Sequence, residues 1–102
     1  MRMDEGYQFG IGAFETIAVV KSKPVFLEEH VKRINSTLAF LQITQKIDGR
    51  EVAGVLESHP MEYGVVKIMA SAENRLYIPG PVGRLWMKRY GEEVLGIKDW
   101  PV

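Results

Sequence analysis

Hydrophobic positions along this chain change period twice, and each change marks an element. Residues 14–20, FETIAVV, are β-branched and aromatic, and a polar KSKP at 21–24 separates them from the short apolar run Val25, Phe26 and Leu27. Two such runs on either side of a turn predict a hairpin. Pro24 must then sit at a strand start or an edge, where its missing N–H removes no ladder bond. From Leu27 the spacing becomes helical. Leu27, Val31, Ile34, Leu38 and Leu41 recur at intervals of 4, 3, 4 and 3 and so share one stripe. Glu28 and Glu29 fall in the first turn, where the helix dipole favours negative charge.

A second helix is predicted over residues 48–59. Asp48 can cap its N-terminus, Glu51 can reach back as in a capping box, and Pro60 stops it. Val52, Val55 and Leu56 supply its inner face. Val65 to Ala70 and Arg75 to Ile78 then read as strands joined by a tight turn around Glu73 and Asn74. The order strand, strand, helix, helix, strand, strand predicts an α+β fold: a mainly antiparallel sheet packed against two helices. Beyond residue 78 a Pro-Gly-Pro break precedes RLWMKRY, which alternates as a strand does. It reads as an edge strand or a disordered end, or as a nucleic-acid or partner contact in which Arg84, Lys88 and Arg89 interleave with Trp86 and Tyr90.

Composition narrows the functional classes. With 102 residues, 46% hydrophobic and 25% charged, the chain is a single globular domain in size. Thirteen basic and thirteen acidic residues cancel, which leaves no global field to draw it to nucleic acid or an anionic membrane. Cysteine is absent, so disulfides, thiolate nucleophiles and zinc-finger sites are excluded. No apolar run approaches a membrane span and MRMDEG lacks the core of a signal peptide. A soluble cytoplasmic protein is the expectation. His30 and His59 are too far apart in the pattern to make a metal site.

The glycines of GYQFGIG, residues 6–12, ask for a backbone that bends close to something. Gly10 and Gly12 are either ordinary turn residues or the means by which main chain passes beside a ligand unobstructed by side chains.

Residues 4–43 closely resemble the N-terminal domain of the fold-type IV pyridoxal-phosphate enzymes. These class IV aminotransferases comprise the branched-chain aminotransferases, D-amino-acid transaminases and aminodeoxychorismate lyases. The likeness rests on the acidic-x-Gly opening at Asp4 and Gly6, the F-G-x-G-x-F-E of residues 9–15, the hairpin, and the E-H-x-x-R of residues 29–33. GVVKIMAS, residues 64–71, resembles a family strand as well. By this resemblance residues 1–80 form a class IV aminotransferase-like N-terminal domain, and residues 81–102 an atypical C-terminal extension or truncated end.

The resemblance also implies roles. Arg33, which lies off the apolar stripe and would otherwise be a solvated surface arginine, matches the residue that binds the phosphate of pyridoxal phosphate. A guanidinium suits that task, with paired donors and a permanent charge. Phe14 matches an aromatic of the substrate pocket and Phe9 is a second candidate from the same turn, though both serve equally well as core residues. Lys67 interrupts an apolar strand and either faces outward or projects into the pocket, as a related lysine does in some lyases.

The Schiff-base lysine of the family belongs to a larger C-terminal catalytic domain for which this chain shows no counterpart. The GIK of residues 96–98 looks like that lysine's context, but its separation from the GVVKIMAS strand is much too short, and Lys98 reads as a tail lysine. The catalytic residues are therefore unknown. Two readings follow: the cofactor-phosphate and substrate-pocket portion of an aminotransferase or lyase acting on a small amino acid or amino-chorismate, inactive alone and homodimeric by kinship; or a non-catalytic interaction or dimerisation module that retains the fold.

Overall fold

In a computed structural model, which describes residues 12–102, the elements follow the expected order and add one. Strand β1 (Ala13–Val20) turns into a two-residue β2 (Lys23–Pro24), and helices α1 (Leu27–Phe40) and α2 (Gly49–Ser58) follow. Strands β3 (Tyr63–Ala70) and β4 (Arg75–Pro81) complete an antiparallel sheet of order β2-β1-β3-β4. Helix α3 (Arg84–Arg89) then continues into a π-helical turn, Tyr90–Val94. The fold is α+β, as expected, with a third helix.

The hairpin closes on Lys21 and Ser22, both at positive φ (52° and 58°), the geometry a twisted two-residue turn requires. Neither is a glycine, and the strain is met by a clip to the chain entering β3. Lys21 N–H donates to the Glu62 carbonyl and Ser22 N–H to that of Met61, while Ser22 Oγ exchanges bonds of 3.1 and 2.9 Å with the Met61 main chain. Pro24 pairs only with Val19, at the sheet edge.

Alternation along the strands separates two faces. Ile17, Val19, Val66 and Ile68 point to the helices, where they bury with Ile34 and Leu38 of α1 and Val52 and Leu56 of α2. Leu27 and Val31 pack at the margin of this core. Leu41 does not join the stripe: α1 ends at Phe40, and Leu41, 36% exposed, is its C-cap. Asn35 ties α1 to the approach to α2, giving and taking hydrogen bonds of 2.9 and 2.8 Å with the Ile47 main chain.

Asp48 caps α2 through Arg50 N–H at 2.8 Å, but Glu51 does not close a capping box. Its carboxylate faces β4, where it takes 3.0 and 2.8 Å bonds from Arg75 and one of 2.5 Å from Tyr77 Oη. These donors hold Glu51 below its usual value. Burial and the same contact push Tyr77 up to about 12.

Two expectations for the later chain are corrected. The Pro-Gly-Pro segment does not break the sheet, because β4 is an edge strand and runs through Pro79 to Pro81. RLWMKRY is not a strand: Gly83 opens a helix of good helix formers, Met87 is its one fully buried side chain, and Trp86 stacks on Tyr90 one turn away at 5.0 Å. Nor is this segment disordered. Met87, Trp100 and Val102 fold it back onto Ala18, Val20 and Tyr63 of the second sheet face.

Candidate functional site

Because β2 reaches only Val19 and Val20, the N-terminal half of β1 has no ladder partner on that side among the described residues. Helix α1 lies over one face of this edge and the π-helical turn over the other. Between them opens a groove of about 630 Å³, with Phe14, Phe26, Arg33 and Tyr90 among its lining residues.

Glu15 organises its floor. As the one carboxylate on the helix-facing side of β1, it is 9% exposed and meets two α1 side chains. Arg33 donates from Nε to Oε2 and from Nη2 to Oε1, both at 2.8 Å, and His30 Nδ1 lies 2.5 Å from Oε1. His30 and Arg33 are one helical turn apart, so a single strand carboxylate reaches both. Burial pushes the Glu15 carboxyl up, but the hydrogen bonds and charges of Arg33 and His30 outweigh it and hold the group below its ordinary value. Glu15 raises Arg33 in return. An ionised carboxylate only accepts, which places the ring proton of His30 on Nδ1.

Arg33 remains 65% exposed along its side chain, and Nη1 has no hydrogen-bond partner among the described residues. The guanidinium is thus fixed in plane on one edge and presents donors to the groove on the other. That is the geometry for taking an oxyanion.

The other sequence candidates fall at different distances from this point. Phe14, 50% exposed, lines the groove. Lys67 is exposed and stands opposite Thr16 across the β1–β3 ladder; Thr16 lines the groove and Lys67 does not. Phe9 and Gly10 lie outside the described residues. Lys98 is exposed and apart from the groove lining. His30 is buried in the Glu15 cluster. Sequence reasoning missed Glu15 and Tyr90. The signal for Glu15 was a charged residue on the inward-facing phase of an otherwise apolar strand; for Tyr90, an aromatic four residues after Trp86.

The antiparallel sheet packed against helices is the fold expected of a class IV aminotransferase-like N-terminal domain, and comparison with known proteins supports that resemblance. The chain is 33% identical over 54 residues to the aminodeoxychorismate lyase of Bacillus subtilis (strain 168), a match covering 53% of this chain and 18% of that protein. Its fold is similar to the crystal structure of a protein provisionally described as a 4-amino-4-deoxychorismate lyase from Legionella pneumophila subsp. pneumophila str. Philadelphia 1. The TM-score is 0.59 at 26% identity, covering 78% of this chain and 28% of that one. No protein-family model matches. Among the described residues no helix is long and apolar enough to cross a membrane.

Proposed function

We propose that this chain is the N-terminal portion of a pyridoxal-phosphate-dependent aminotransferase or aminodeoxychorismate lyase-like enzyme, with residues 1–80 as the family-like part and 81–102 as an extension. Arg33 binds the cofactor phosphate, Phe14 belongs to the substrate pocket, with Phe9 a second candidate by the resemblance, Lys67 stands apart from the groove, and the Schiff-base lysine comes from a catalytic domain outside this chain. The observation that carries the reading is the half-used guanidinium of Arg33, pinned by Glu15 and open at Nη1 to a groove. The donor set fits the phosphate end of the cofactor: a permanent cation with free N–H groups, oriented by a partner that cannot leave without exposing a buried carboxylate. When bound, the cofactor supplies an electron sink for bonds at the substrate's amino carbon. This chain's part is to hold the phosphate and wall the pocket.

Reduction with borohydride after incubation with pyridoxal phosphate, followed by peptide mapping, tests the division of labour. Substoichiometric labelling spread over exposed lysines is expected. One stoichiometric adduct at Lys98 or Lys67 would place the reactive amine within this chain and overturn it.

A second reading, an interaction or dimerisation module, is favoured by a separate observation. Leu76 and Ile78 on the sheet face beside the tail, and Leu85 and Trp86 on α3, are 44%, 44%, 68% and 45% exposed. Apolar area of this kind marks contact surfaces.

A further inference from the structure

Residues 81–102 lie beyond the family resemblance, yet they build one wall of the groove. Tyr90, Val94 and Leu95 all line it, the first two from the π-helical turn and Leu95 as its C-cap. The turn is held on both sides. The Leu95 amide bonds the Tyr90 carbonyl at 3.0 Å, Ile97 N–H bonds that of Gly91 at 2.9 Å, and Trp100 Nε1 returns to the Met87 carbonyl at 2.9 Å. Gly91 is required where it stands, since a Cβ there would lie 2.2 Å from the Trp100 ring. Single π turns of this type recur at functional sites. This one opens on Tyr90, whose ring stacks on that of Trp86 at an interplanar angle of 11°. The Tyr90 side chain lines the same groove as Arg33.

Charge makes a second donor necessary. Glu15 offsets the charge of Arg33, and Glu29 adds another carboxylate to the lining. Net positive potential therefore does not hold an anion in this groove; aligned hydrogen bonds must. His30 Nδ1 is already spent on Glu15. Tyr90, on the wall built by the tail, carries a phenol O–H that can donate a hydrogen bond.

We infer that Tyr90 is a second phosphate-binding residue, so that the C-terminal extension completes an anion clamp with Arg33 for a phosphomonoester. This rests on the reading of Arg33 above. The test is calorimetric titration of the whole chain with pyridoxal phosphate and with pyridoxal, on wild type, Tyr90→Phe and Arg33→Ala, with near-UV dichroism to confirm that the Phe variant keeps its stack on Trp86. Loss of one hydrogen bond to a charged acceptor predicts that Tyr90→Phe weakens pyridoxal phosphate about tenfold and leaves pyridoxal unchanged. If Arg33→Ala weakens pyridoxal phosphate and Tyr90→Phe does not, the role of Tyr90 falls while that of Arg33 stands. If wild type binds the two ligands equally, or Arg33→Ala changes nothing, both fall.

Discussion

At the scale of single residues the account turns on Glu15. A carboxylate that is 9% exposed on a strand is tolerated because three donor atoms converge on it. Replacing it with glutamine removes the charge and leaves an amide N–H₂ facing donors. Allowing for solvent screening at the exposed Arg33, Glu15→Gln is expected to cost about 1 kcal/mol in chemical denaturation.

The pH dependence has a definite sign. Because the folded carboxyl lies below its ordinary value of about 4.3, its contribution is complete above that value and is lost as pH falls through the lower folded value. Glu51, also lowered, acts in the same direction. Stability of Glu15→Gln should therefore converge on wild type in acid and separate from it as pH rises from below 4 to neutrality. A constant gap across that range would contradict the assignment. The sequence carries the phase of Glu15, which it shares with Ile17 and Val19 on β1, but not that Arg33 and His30 of α1 meet it there.

Among the elements, those that were legible bury one face continuously. Helix α1 repeats its apolar stripe over four turns, and β1 and β3 carry β-branched runs because both sides of the sheet are partly covered. The tail was not legible, because α3 commits only Met87 to the core and its flanking residues alternate by accident of a short helix. Glycines report packing that periodicity cannot. A Cβ at Gly64 would lie 2.8 Å from the Gly80 carbonyl, main chain that cannot rotate aside, and 2.5 Å from Met61 Sδ. Gly64→Ala is expected to lose about 1–3 kcal/mol in urea unfolding by forcing β3 and β4 apart. Gly91→Ala should instead leave the sheet intact and release Trp100, seen as a red shift of tryptophan emission.

For the whole molecule, size sets the terms. The chain spans about a fifth of the curated relative it matches and just over a quarter of the structural neighbour. The class IV aminotransferase-like fold was readable because its motifs cluster in the first half of the chain. The groove was only half readable: Arg33 and Phe14 lie in the motif region, while the opposing wall comes from a segment outside it. If the apolar sheet face mediates self-association, sedimentation should show a concentration-dependent dimer that Ile78→Lys abolishes.

The central claim is that Arg33 grips a phosphate from its place on α1. The most direct measurement is a crystal structure of the chain soaked with pyridoxal phosphate, compared with Arg33→Ala treated alike. The account predicts phosphate oxygens within hydrogen-bonding distance of Arg33 Nη1 in the groove between α1 and Tyr90, and no density there in the variant. Phosphate bound elsewhere, or retained in the groove without the guanidinium, would contradict it.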